Sequence, residues 1–175
     1  RKKEDNEAIW QGLRDGSVQV IATDHCPFTE KEKLENVADF RNCPGGVSGV
    51  EERMPLVFSE GVLKGRISLE QFVQTTSTNA AKIFGLYPKK GTLLPGSDAD
   101  VILINPSKKR TFSHDNLHTT CGYSPYNGMT TDCTIDLVML RGKIIARDNT
   151  FTGQKGYGTL LHRKRTVAYE DIVRV

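Results

Sequence analysis

Nothing in this chain approaches the ~20 consecutive apolar residues that a membrane-spanning helix requires. Its first ten residues, RKKEDNEAIW, lack the apolar stretch of a secretory signal. An initiator Met is missing as well, which points to processing or to a chain that continues upstream. Cysteine is scarce and dispersed: Cys26, Cys43, Cys121 and Cys133 form no C-x-x-C pair. That pattern disfavours a zinc cluster or a disulfide framework and reads as reduced thiols in a cytoplasmic protein. An excess of one charge is also lacking, with 24 Lys and Arg against 21 Asp and Glu. The short basic runs RKK at 1–3 and HRKR at 162–165 read as solvated surface. A nucleic-acid partner would need a broader basic face, so neither nucleic acid nor membrane is expected as a partner. What remains is a chain of 175 residues with 37% hydrophobic and 26% charged composition, which suits a globular protein.

Periodicity divides the chain in two. EDNEAIWQGLRDG carries Ala8, Ile9, Trp10 and Leu13 at helical spacing, with Gly16 as the stop. SVQVIAT then changes to a nearly continuous apolar, β-branched run. Such a run fits a strand covered on both faces, as in parallel sheets, and a strand is expected over 18–23. Thr29 with Glu32, and Ser68 with Gln71, have the spacing of capping boxes. VEERMPLVFSEGVLKG reads as a helix in which Pro55 is tolerable only near the first turn. SLEQFVQTTSTNAAKIFGL reads as a helix that breaks at 77–79, recaps, and ends at Gly85. From Pro88 the texture is β: KKGTLLPGSDADVILINP as strand, Pro-Gly turn, strand, and TIDLVMLRGKIIARDNTF as two strands about an Arg-Gly turn. A boundary is placed near residue 87, with strands from 88 to 151. The tail, 152–175, is expected to dock on a partner surface or to be poorly ordered.

Asp24 is the best candidate for chemistry, because it lies just past the carboxyl end of the 18–23 run. A rigid strand fixes a carboxylate there while the following loops leave room for substrate. His25 is adjacent, and neighbouring residues of an extended chain point to opposite sides. His25 is therefore a supporting residue rather than a ligand beside Asp24, and Cys26 and Cys43 are packing thiols. His114 and His118 have H-x-x-x-H spacing, but their surroundings, TFSHDNLHTTCGYSPYNG, show no helical apolar stripe. RNCPGGVSG, 41–49, is glycine-rich yet has neither the lysine of a phosphate loop nor G-x-G-x-x-G spacing. No serine sits in G-x-S-x-G. One good carboxylate stands without a complete site, since a catalytic zinc usually takes about three protein ligands.

Four stretches, taken together and in order, resemble the carboxy-terminal part of the cyclic amidohydrolases, in the dihydropyrimidinase/hydantoinase branch. They are VIATDHCPF, PGGVSGVEERMPLVFSEGV, TSTNAAKIFGLYPKKGTLLPGSDADVILINP, and YSPYNGM followed by LRGKIIARDNTFTGQKGYG. The resemblance implies an α/β fold: the end of a (β/α)8 TIM-type barrel over 1–87, with 18–23 as its last strand, then strands of a small β-sandwich. It implies two divalent metal ions, usually zinc, held by four histidines, a carboxylated lysine and one aspartate, which here is Asp24. By the same resemblance Asp24 also shuttles a proton, and the backbone of Gly45 binds the cyclic amide or ureide, standing where many hydantoinases have the Asn of PNGG. The histidines and lysine belong to earlier barrel strands and are absent from these residues. The chain is thus expected to be a fragment that neither holds the metal pair nor hydrolyses anything alone. A tetrameric homo-oligomer is implied too. An allantoinase, or a scaffold of the collapsin-response-mediator type that has lost its ligands, is the alternative.

Overall fold

The computed structural model describes residues 2–35 and 37–164. Helices fill the first half. α1 (Lys3–Arg14) is capped at Asp15 and followed by Gly16, whose φ is +80°. The short α2 (Glu30–Leu34) is capped as expected: Thr29 Oγ1 accepts the Glu32 amide at 3.2 Å, and Glu32 Oε2 accepts the Thr29 amide at 2.7 Å. α3 (Val50–Val57) and α4 (Leu69–Val73) follow, the latter started by the expected Ser68–Gln71 box.

Two departures concern how these helices continue. Pro55 lies in the second turn of α3 rather than the first, and the helix widens into a π-helical segment over Phe58–Leu63. The proline ring removes one amide donor, and looser turns beyond it accommodate the mismatch. No break occurs at 77–79. A π segment (Gln74–Thr78) runs from α4 straight into α5 (Asn79–Ile83), with Thr78 and Asn79 both in helical conformation. Local threonine-to-carbonyl bonds, Thr75 Oγ1 to Gln71 O at 2.7 Å and Thr76 Oγ1 to Phe72 O at 2.6 Å, accompany the continuous helix where a break and recapping were expected.

The second half holds an antiparallel sheet of order β1-β4-β5-β6, made of Val101–Asn105, Thr134–Leu140, Lys143–Arg147 and Thr150–Phe151. β2 (Arg110–Thr111) and β3 (Thr130–Thr131) form a separate pair. The Arg-Gly turn is where the sequence placed it. Leu140 pairs with Lys143, and Arg141 and Gly142 take φ of +47° and +78°, the two left-handed residues that a type I′ hairpin needs. The strand expected ahead of Pro95 does not form. Leu93 and Leu94 are exposed there, and Lys90 instead ties the following turn, with Nζ at 2.8 Å from Asp98 and also paired to Asp100. Residues 18–23 likewise join no ladder among the described residues. A strand needs a neighbour, and none of the strands formed lies beside either stretch.

One core joins the halves. Leu13, Phe58, Ile67 and Phe72 cluster with Cys133, and Trp10, Val18, Ile21 and Ile104 pack around them. Phe58 and Phe72 meet edge to face at 5.3 Å. Buried polar bonds cross the same boundary: Ser124 Oγ to Glu52 Oε1 at 2.8 Å, and the Asp132 amide to Ser59 Oγ at 3.0 Å. Within residues 152–164, which are mostly exposed, a few contacts reach back to the chain. Tyr157 sits under the Arg141 guanidinium at 4.4 Å, and the Lys164 amide donates to Gly85 O at 3.0 Å. Residues 165–175, the rest of the expected tail, are outside the described residues.

Candidate active site

The segment leading to Asp24 is fastened by helices rather than by strands. The Ile21 amide donates to Thr75 O at 2.8 Å, a carbonyl within the π segment. Widened turns shift intrahelical bonding, which leaves carbonyls free to bond elsewhere. Arg53 Nη1 donates to Ile21 O at 2.5 Å, and Asn79 Nδ2 to Gln19 O at 3.0 Å. Burial holds the Arg53 guanidinium below its ordinary pKa. Three helical residues therefore hold residues 19–21 in place, and the Gln19 carbonyl and both backbone groups of Ile21 are satisfied without a neighbouring strand.

At the end of this anchored run the chain turns. Asp24 has φ +46°, a left-handed conformation that Asp tolerates better than most side chains. Its carboxylate is exposed, and among the described residues it has no hydrogen-bond or ion-pair partner. His25 goes elsewhere: its Nδ1 accepts the amides of Gly49 at 3.1 Å and Val50 at 3.4 Å, at the start of α3. A ring nitrogen that accepts amide protons carries none itself, so the neutral ring bears its proton on Nε2. His25 thus fixes the entry to α3. The side chains of Asp24 and His25 separate, but through the left-handed turn at Asp24 rather than through the alternation of an extended chain.

The glycine-rich loop comes up against the same turn. The Cys26 amide donates to Val47 O at 3.0 Å, and Gly46, with φ +88°, packs so closely that an added Cβ would lie 2.6 Å from Cys26 Cβ and 4.0 Å from Asp24 O. Gly45 is exposed, with no atom within 4 Å of the position a Cβ would take. Among the described residues neither its N–H nor its C=O has a partner. Beside the loop opens a recess of about 280 Å³ lined by Glu30, Lys33, Leu34, Val47 and Tyr123. A larger recess, about 380 Å³, is lined by Leu13, Gly16, Val18 and Gln19 at the opposite end of the anchored segment and takes no part.

Asp24 and Cys26 therefore lie against the glycine loop through Gly46, the neighbour of Gly45, while the other candidates lie elsewhere. His114 lies in a 3₁₀ turn with Nε2 at 3.0 Å from Asp115, and His118 Nδ1 is 3.2 Å from Glu51, so the two histidines serve different carboxylates. All four cysteines are free, with Cys121 and Cys133 buried, and burial beside Asp132 pushes the Cys133 thiol up to about 11. Among the described residues no three His, Cys, Asp or Glu side chains converge as a metal site. Asp24 offers one free oxygen ligand, so a metal pair finds a single donor here rather than a set. Sequence reasoning missed Arg53, Thr75 and Lys33. Polar residues at positions of a helix otherwise facing the core were the signal that could have found the first two.

Comparison with known proteins gives this geometry a family. The Amidohydrolase family matches residues 1–145. D-phenylhydantoinase of Escherichia coli O1:K1 is 46% identical over 165 residues, covering 94% of this chain and 36% of that protein. The crystal structure of dihydropyrimidinase from Brevibacillus agri superposes with a TM-score of 0.92 at 40% identity, covering 96% of this chain and 37% of that one. L-hydantoinase (dihydropyrimidinase) from Arthrobacter aurescens does so at 0.83 and 32%, covering 91% and 35%. The chain thus spans little more than a third of the length of the relatives it matches, and its fold is the corresponding part of their α/β architecture. With nearly its whole length shared in sequence and in structure, the chain belongs to the amidohydrolase family.

Proposed function

We propose that the whole protein hydrolyses the C–N bond of a cyclic amide of the dihydropyrimidine or hydantoin type, with Asp24 as metal ligand and proton shuttle. The observation that carries this is the Asp24 carboxylate itself. It stands exposed and unpaired at the end of an anchored segment, beside a glycine loop whose Gly45 backbone is free. The named activities of the hydantoinase relatives support the substrate class. In this reading residues 1–87 complete the barrel and 88–151 supply sandwich strands. The remaining ligands come from outside this chain, the ions are a zinc pair, and the enzyme is a cytoplasmic homo-tetramer.

Two divalent ions, when bound, lower the pKa of water and polarise the amide carbonyl. The chain's own part is the proton. An Asp24 oxygen accepts it from the attacking water and delivers it to the ring nitrogen as the C–N bond opens. The Gly45 backbone meanwhile holds the ring by hydrogen bonds. Isolated, the 175 residues would bind no metal pair and turn over nothing.

The test is an assay of the full-length zinc-loaded protein on dihydrouracil, hydantoin and allantoin, beside Asp24→Ala. Hydrolysis of either of the first two, lost by about 10³-fold in the variant, is expected from the usual worth of a positioned acid–base group. Activity on allantoin alone would move the substrate class to the allantoinases. Inactivity of the intact protein on all three would favour a scaffold, and unchanged Asp24→Ala turnover would remove Asp24 from the mechanism.

A further inference from the structure

Lys33, on α2, reaches across to the loop that carries Gly45. Its Nζ donates to the carbonyls of Pro44 and Gly46, the latter at 2.5 Å. The two clamped carbonyls flank Gly45, and the backbone of Gly45 is free between them. Lys33 is itself well placed to act as a rigid post. α2 is closed by the Thr29–Glu32 box, the Lys33 ammonium lies 5.7 Å from the centroid of the Phe28 ring, and Cys43 Sγ donates to Lys33 O at 3.6 Å. From the other side the loop is held by the Cys26 amide on Val47 O and by the close seat of Gly46 on Cys26.

Peptide planarity converts this clamp into a direction. In a trans peptide the C=O and the following N–H point oppositely. A Pro44 carbonyl drawn toward Lys33 therefore turns the Gly45 N–H away from it. A cation on that carbonyl also polarises the peptide, which makes the Gly45 N–H a stronger donor. Holding the ammonium on two loop carbonyls costs its stem side-chain entropy, so the bonds order Lys33 as well as the loop.

We propose that Lys33 is a positioning residue for substrate binding: it fixes the Pro44–Gly45 peptide plane, and the Gly46–Val47 plane beyond it, and so aims the Gly45 N–H at the cyclic amide. This rests on the assignment of Gly45 to substrate above. Lys33 touches no reacting atom, so its loss weakens ground-state and transition-state binding alike.

The experiment is steady-state kinetics of the full-length, metal-loaded protein on hydantoin and dihydrouracil for Lys33→Met, Lys33→Gln, Lys33→Arg and Gly45→Pro. Folding is checked by thermal melts and metal content. Met and Gln are expected to raise KM roughly 5- to 10-fold, the worth of one oriented hydrogen bond, with kcat within about 2-fold. Arg, which can reach both carbonyls with its charge, is expected to restore most of the loss. Gly45→Pro deletes the amide proton and tests the underlying assignment separately. KM unmoved by Gly45→Pro removes the Gly45 N–H from substrate binding, and with it the aim assigned to Lys33. KM raised by Gly45→Pro but unmoved in a folded Lys33→Met or Lys33→Gln protein overturns the role of Lys33 alone. Variants that melt early with unaltered KM, or a kcat that falls without KM, overturn it too.

Discussion

Asp24 and Gly46 approach each other through their backbones, and the contact sets a sharp constraint on one residue. Gly46 adopts φ +88°, a region costly to side chains by about 1–2 kcal/mol, and its face toward Cys26 has no room for a methyl group. Gly46→Ala should therefore displace the loop from Cys26, raising KM for a cyclic amide several-fold and lowering the melting temperature of the intact protein. Gly45→Ala, one residue away, has open space and should fold normally. Equal melting temperatures for the two alanine variants would contradict the close seat of Gly46 on Cys26. At this scale much was legible in the sequence. A carboxylate after an apolar run singled out Asp24 as a candidate, whereas its separation from His25 comes with a left-handed turn at Asp24 rather than from the alternation of an extended chain. What the sequence did not carry was the destination of His25, because the amides of Gly49 and Val50 lie 24 and 25 residues along the chain.

Elements show the same division between local and distant causes. The caps of α2 and α4 and the Arg-Gly hairpin were readable because each is settled within four residues. The stretches at 18–23 and before Pro95 pair with no strand among the described residues, and pairing is a long-range event that propensity alone cannot settle. The expected break at 77–79 is a different case: helix-internal threonines bond back to carbonyls, and the chain stays helical. The Ser68 box does more than start α4. Gln71 Nε2 also donates to Arg14 O at 2.9 Å and so joins α4 to the end of α1. Ser68→Ala should cost about 1 kcal/mol, the usual value of a lost N-cap, and Ser68→Asp should recover most of it. Urea midpoints of the two variants in the intact protein check this, and an Asp variant no better than Ala would show that the cap is not what matters.

Across the whole molecule the halves are joined through α3, whose Glu51 and Glu52 point into the same seam. Glu52 is buried and accepts from Ser124, while Glu51 Oε1 meets Arg110 Nη2 at 2.9 Å and Glu51 Oε2 accepts the His118 amide at 2.9 Å. Burial pushes the Glu51 carboxyl upward, but the His118 amide, the Arg110 guanidinium and the His118 ring together outweigh it and hold the carboxyl below its ordinary 4.5. The unfolded chain therefore takes up this proton more readily than the folded one. The bond contributes fully above about pH 4.5 and is lost as pH falls below that value through the folded pKa. Glu51→Gln keeps the shape and removes the charge, so it should destabilise the intact protein by about 1–3 kcal/mol at pH 7, as expected for hydrogen bonds to a charged group. Between pH 7 and pH 3 the gap between wild type and variant should shrink, with the narrowing confined to the acid side of 4.5. Thermal melts over that range measure it. Curves that stay parallel to pH 3 would mean that the seam is held by its apolar contacts around Cys133, with the Glu51 charge a bystander.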